Sequence, residues 1–141
     1  MKPIRTACFG GSFNPIHEGH IAIGNYILNQ GLADEVWYIV SPLNPLKPTA
    51  DPKDALERFE SVVRALENHP RLIACDVELY LPAPSYTADT LKYLTQKYPE
   101  REFSLLIGGD NLDQFTQWKD YSYLLDTYDI LVYPRPGATN Q

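Results

Sequence analysis

The sequence predicts an α/β protein: one domain built on an open, doubly wound parallel sheet of about five strands. Three observations lead there. Five short runs (Ile4 to Phe9, Val36 to Val40, Leu72 to Cys75, Phe103 to Ile107 and Ile130 to Tyr133) are nearly continuous in apolar or β-branched residues, as in strands covered on both faces. Segments of helical period lie between them, and strand–helix alternation calls for a parallel sheet joined by right-handed crossovers. A length of 141 residues with 44% hydrophobic residues suffices for one core and argues against a disordered chain.

In chain order, Ile23, Tyr26 and Ile27 share a predicted helical face after the first strand, and Gly31 is placed to end that helix. Leu56, Phe59, Val63 and Leu66 predict a second helix, which Pro70 prevents from continuing. Leu91, Leu94 and Tyr98 predict a third, with Asp89 near its positive end and Pro99 just beyond it. The proline-bearing stretches Ser41 to Pro52 and Leu81 to Ser85 read as rigid loops. Both follow strand-like runs, and in open parallel sheets ligands collect beyond the carboxyl ends of strands.

Charge and cysteine content narrow the function classes. With 12 Lys plus Arg against 18 Asp plus Glu, the net charge of −6 argues against a general nucleic-acid binder, whose affinity comes from neutralising phosphates. Any phosphate must be met by local donors. No apolar window approaches the roughly 18 residues that span a bilayer, and no signal-peptide pattern opens the chain, so a cytoplasmic protein is expected. Cys8 and Cys75 sit in short apolar runs and read as buried reduced thiols rather than a disulfide or metal ligands.

The most informative segment is Gly10-Gly11-Ser12-Phe13-Asn14-Pro15-Ile16-His17-Glu18-Gly19-His20, between the first strand and the first helix. Adjacent glycines permit a tight turn that exposes backbone N–H groups, and Ser12 adds a hydroxyl donor, so the turn can cradle phosphate oxygens. His17 and His20, three apart with Gly19 between them, would point two imidazoles at an anion held at the helix N-terminus, His20 opening the helix. The pair is also open to reading as a partial metal site or as two surface histidines at a cap. Neither the P-loop pattern nor the three-glycine dinucleotide fingerprint occurs.

Four later residues carry double readings. Thr87 is placed to cap a helix or to touch a ligand. Trp118, between Gln117 and Lys119-Asp120, is suited to stacking on a flat ring or to anchoring a loop. Asp110, after Gly108-Gly109 at a strand end, could accept from a ribose hydroxyl or cap the next helix. Lys47, in the proline-stiffened Asn44-Pro45-Leu46-Lys47-Pro48, could offset a triphosphate or be merely solvated.

The segment from Gly10 to His20 resembles that of the His-x-Gly-His nucleotidyltransferase superfamily. Within it the chain most resembles the bacterial nicotinate mononucleotide adenylyltransferases, through Ser85-Tyr86-Thr87-Ala88-Asp89-Thr90-Leu91, through Ile107-Gly108-Gly109-Asp110-Asn111-Leu112 with Phe115 and Trp118, and through Arg135-Pro136-Gly137. The resemblance implies a Rossmann-like fold and adenylyl transfer from ATP to nicotinate mononucleotide, giving nicotinate adenine dinucleotide and pyrophosphate. It implies catalytic roles for His17, His20 and Lys47, and ATP or phosphate contacts from Gly10, Gly11, Ser12, Phe13, Gly108, Asp110 and Arg135. Tyr86, Thr87 and Trp118 would hold the nicotinate, and Mg²⁺ would accompany ATP without a metal site on the protein itself. The chain has Leu46 where the family usually shows histidine, and Asn14 where it commonly has aspartate. Nothing like the family's Ser-Ser-Thr-x-x-Arg segment occurs, so a C-terminally shortened domain with impaired transfer is expected. Another superfamily transferase, such as a phosphopantetheine adenylyltransferase, and a non-catalytic nucleotide-binding module are the alternatives.

Overall fold

The computed structural model describes residues 3–11, 13, 16–41, 52–80, 86–109 and 115–133. Among the described residues, five strands, four α-helices and two 3₁₀ turns follow in the order β1 (Ile4–Gly11), α1 (Glu18–Asn29), β2 (Glu35–Val40), α2 (Pro52–Leu66), β3 (Leu72–Cys75), a 3₁₀ turn (Val77–Leu79), α3 (Thr87–Lys97), β4 (Arg101–Gly108), a second 3₁₀ turn (Phe115–Gln117), α4 (Tyr121–Thr127) and β5 (Asp129–Tyr133). The five strands form one sheet in the order β3-β2-β1-β4-β5, and every pairing is parallel. The order reverses between β1 and β4, which opens a crevice at their carboxyl ends.

Alternation along each strand feeds two cores. Ala7, Phe9, Val36, Tyr38, Val40 and Leu106 meet Ile27 of α1 and Val62 and Leu66 of α2 on one face. Cys8, Trp37, Ile39, Leu105 and Ile107 meet Leu91 and Leu94 of α3 and Leu124 of α4 on the other. Both faces are thus covered, which is why the strands read as unbroken apolar runs.

Several expectations are corrected in detail. Tyr26 is 51% exposed, and the buried positions of α1 are Gly24 and Ile27. The cause is Tyr38, whose hydroxyl crosses to α1 and donates to the His20 carbonyl at 2.7 Å. A Cβ on Gly24 would collide with that hydroxyl, so the glycine must face the sheet. On α2, Leu56 and Val63 are exposed while Ala55, Val62 and Leu66 are buried, so the neighbouring stripe faces inward. That rotation brings the buried Arg58 to the Ser41 carbonyl, to which its Nη1 donates at 2.8 Å. Pro52, assigned to the preceding loop, begins α2, where its missing N–H costs nothing. Gly10 and Gly11 belong to β1, paired with Ile39 and Val40, instead of forming the turn. Gly31, at φ +70°, follows the Gln30 cap as expected.

The seven-residue α4 was not foreseen: Leu124 is its one buried residue, and such a segment shows no period. Cys8 is buried and Cys75 half-buried, and both are free thiols. β2 runs between their strands, so they are not placed to bridge. Among the described residues no helix is long and apolar enough to cross a membrane.

At the amino end of the sheet, Glu35 Oε2 accepts from Thr6 Oγ1 at 2.8 Å and from Arg101 Nε at 2.7 Å, tying β1, β2 and β4 together. The Arg101 guanidinium also lies 5.1 Å from the Trp37 ring centre. Glu35→Ala is expected to cost about 1–2 kcal/mol, because it leaves the buried Thr6 hydroxyl without its acceptor and takes one of two carboxylates from Arg101, whose Nη1 still donates to Glu100. Urea unfolding midpoints of the two proteins measure it.

Candidate active site

The crevice at the switch point is a cleft of about 350 Å³. Its floor is the carboxyl end of the sheet: Cys8, Gly10 and Gly11 of β1, Ile39 of β2, and Leu105, Ile107 and Gly108 of β4. Thr87, Thr90 and Leu91 of α3 form one wall with Glu78 and Trp118, while Ser41 and Tyr133 close other sides. Among the described residues Gly10 has no atom within 4 Å of where a Cβ would stand, so its missing side chain leaves room beside the cleft floor. Gly108 is different, because a Cβ there would meet the Tyr133 hydroxyl at 3.0 Å.

The histidines stand at the start of α1, His20 behind the Phe9 that lines the cleft. His17 is the N-cap of α1 and His20 its third helical residue, so the helix opens at Glu18 and not at His20. Gly19 N–H donates to His17 Nδ1 at 3.1 Å, and His17 N–H donates to His20 Nδ1 at 3.0 Å. The two imidazoles thus form a reciprocal capping box, stacked with centres 3.8 Å apart. Because each Nδ1 accepts, each neutral ring carries its hydrogen on Nε2, on the side away from the backbone. The box delivers two N–H donors beside the positive end of α1. A Cβ on Gly19 would meet His17 Cε1 at 2.9 Å, so only glycine lets that ring fold back.

Aromatic rings fix His20 in turn. Phe13, held at φ +48°, packs edge-on against it with centres 5.1 Å apart, and Phe9 lies 6.1 Å away. Burial, with His17 alongside, holds the His20 pKa below the ordinary histidine value. The unfolded chain therefore takes up that proton first as pH falls. The resulting stability is complete above about pH 6.5 and is lost as pH drops through the lowered folded value. His20→Gln keeps an acceptor at this position of the box without titrating. It is expected to lose less stability than the parent between about pH 7.5 and pH 5, read from urea midpoints at each pH.

On another side, α3 begins at Thr87 with Tyr86 as N-cap, and among the described residues no side chain caps its first N–H groups. Thr87 is thus the first helical residue and not the cap. It lines the cleft beside those N–H groups, whereas the Tyr86 ring lies outside the cleft, half-exposed under Lys119 Nζ at 4.7 Å. Lys119 also pairs with Asp89 at 3.4 Å, and Trp118 packs on Phe115 with ring centres 5.1 Å apart. These contacts hold the indole against the α3 end of the cleft.

The structure therefore brings Gly10, Gly11, Gly108, Thr87 and Trp118 into one cleft, with His20 packed against its Phe9 wall and Phe13 behind. Ser12, Lys47, Asp110 and Arg135 lie outside the described residues. Two contributors escaped the sequence reading. Tyr38 had one signal, a phenol in an otherwise apolar strand that must find a partner. Glu78 had one too, a carboxylate beside a buried run at a strand end.

A family model described as Cytidylyltransferase-like matches residues 8–141. A protein of Cytophaga hutchinsonii named "Probable nicotinate-nucleotide adenylyltransferase" is 49% identical over 137 residues, covering 97% of this chain and 71% of the relative. The chain belongs to the nicotinate-nucleotide adenylyltransferase branch of the cytidylyltransferase-like family. A second member of this adenylyltransferase branch, from Bacteroides fragilis, bears the same name and is 47% identical, with 97% and 68% of the two chains covered. The fold of the branch also matches a solved structure described as Plasmodium falciparum nicotinic acid mononucleotide adenylyltransferase complexed with NaAD, at TM-score 0.72 and 16% identity, over 96% of this chain and 77% of that one.

Proposed function

We propose that this protein transfers the adenylyl group of ATP to nicotinate mononucleotide, forming nicotinate adenine dinucleotide and pyrophosphate. Two observations carry the reading: a cleft lined by Thr87 at the start of α3 and by Trp118, and two imidazole donors at the start of α1, His20 packing against the Phe9 that also lines this cleft. Such a cleft suits a molecule with a phosphate at one end and a flat acidic ring at the other.

In the reaction a phosphate oxygen of the mononucleotide bonds to the α-phosphorus of ATP as the bond from that phosphorus to the β-bridging oxygen breaks, and the electron pair leaves with pyrophosphate. The nucleophile is already an anion, so no general base is needed. The protein aligns the two phosphates and stabilises developing charge. The Nε2–H groups of His17 and His20 donate to phosphate oxygens, and the bare Gly10 and Gly11 backbone lets them approach the sheet end. Lys47, Ser12, Asp110 and Arg135 keep the phosphate and ribose roles that the resemblance implies. Mg²⁺ enters as part of the ATP substrate, offsetting the triphosphate charge. The carboxylate of the ring accepts from the α3 N-terminus, which favours the acid over the amide mononucleotide.

The test is pyrophosphate release by the purified chain with Mg-ATP and nicotinate mononucleotide. Release that requires both substrates is expected. Release supported by phosphopantetheine instead would point to another superfamily transferase. ATP binding by calorimetry without release for either acceptor would point to a binding module.

A further inference from the structure

Glu78 is a charged group that the reaction above does not use. It sits on the 3₁₀ turn after β3 and reaches across to α3, where its Oε2 accepts from Thr90 Oγ1 at 2.8 Å. Thr90 is 2% exposed, so this end of the carboxyl group is anchored inside the protein. Oε1 has no hydrogen-bond partner among the described residues, and the residue lines the cleft with Leu91 and Trp118. Among the described residues that line the cleft, Glu78 carries the only full charge.

A carboxylate fixed in a half-dry wall by one hydroxyl is poorly compensated. Burial pushes its pKa up, and the Thr90 bond only partly offsets this. A cation entering the cleft would relieve that cost. Trp118 lines the same cleft with an indole, whose face attracts a flat cation. Carboxylate plus indole is a recognition set for an aromatic ring bearing a permanent positive charge. The ring nitrogen of a pyridine mononucleotide is such a centre, because its bond to ribose makes it quaternary.

We propose that Glu78 is a specificity-determining residue, supplying the countercharge to the cationic pyridinium ring while the α3 N-terminus takes the carboxylate of the same ring. The inference rests on the reading of the substrate given above. The two walls then match a zwitterionic ring, negative substituent to helix end and positive ring to Glu78 and Trp118. A ring with the same outline but no positive charge loses the second match.

Calorimetric titration with nicotinate mononucleotide and with its 1,4-dihydro form, which is nearly isosteric and has a neutral ring, isolates this charge. The parent protein is expected to bind the oxidised form about tenfold more tightly, the size of one partly desolvated cation–π and ion-pair contact. Glu78→Gln still accepts from Thr90 and is expected to cut the ratio to about two- to threefold, the share the indole supplies, mainly by weakening the oxidised form. Thr90→Val removes the anchor but keeps the charge, and is expected to retain most of the preference. Equal binding of both forms by the parent, an unchanged ratio in Glu78→Gln, or equal weakening of both forms in that variant overturns the inference and leaves Glu78 a structural clasp. The parent comparison needs no variant to fold. Parent protein that binds neither form overturns the substrate reading as well.

Discussion

Gly19→Ala is expected to lower the rate of pyrophosphate release about a hundredfold while leaving the melting temperature almost unchanged. Alanine is the better helix former by about 1 kcal/mol, so α1 itself does not suffer. The damage is local. The new methyl would lie 2.9 Å from His17 Cε1 and 3.0 Å from Nδ1, and the exposed ring is free to swing away. It then no longer accepts from Gly19 N–H or stacks on His20. His17 loses the orientation that presents its Nε2–H group, while His20 keeps its bond from the His17 backbone and its Phe13 packing, and displacement of a catalytic donor by about 1 Å commonly costs a factor near 10². A steady-state assay with a thermal melt decides it. A variant with parental turnover would show that the reciprocal box is not the geometry the reaction uses.

Gly10→Val is expected to weaken ATP binding more than tenfold, again in a folded protein. Gly10 is paired with Ile39 near the end of β1, a position where a β-branched residue suits the strand. Among the described residues no atom lies within 4 Å of its Cβ position, so their packing does not resist the change. The added atoms instead enter the 350 Å³ cleft at its floor. A nucleotide bound along the strand end would have to give up its close approach to the backbone. Calorimetry with ATP measures the loss, and undiminished affinity would place the nucleotide elsewhere.

The two variants differ in which link they break. Gly10→Val removes space and is expected to act on binding, whereas Gly19→Ala disturbs donor orientation and is expected to act on turnover. Both glycines stand in the one segment, Gly10 to His20, that the sequence marked as carrying the chemistry.

Much of the fold was legible because a parallel sheet covered on both faces writes itself as short apolar runs separated by helical periods. All five expected strands are present, with Leu72–Cys75 identical and the others extended by one to three residues. The rotation of the helices was not legible. Leu56 and Val63 are as apolar as Val62 and Leu66, and a stripe one residue over satisfies the same period. What selected the inward stripe was a contact remote in sequence, Arg58 to the Ser41 carbonyl for α2 and Tyr38 to the His20 carbonyl for α1. The site divides in the same way. The His-x-Gly-His spacing was readable, but the mutual Nδ1 acceptance that sets both tautomers depends on backbone angles at His17.

By itself the sequence determined the strand–helix alternation, the place of the glycine–histidine segment at a strand end, and the family resemblance that runs from Gly10 to Gly137. These are local properties, written in period and spacing. Only the tertiary structure decided that Glu78 and Trp118, 40 positions apart, line one cleft, that the Tyr86 ring lies outside it, and that α3 begins at Thr87 with Tyr86 as its cap. The reason is physical. A wall is made by the packing of separate elements on a common sheet, and the direction in which a side chain faces is fixed by the neighbours it meets there rather than by the residues on either side of it in the chain.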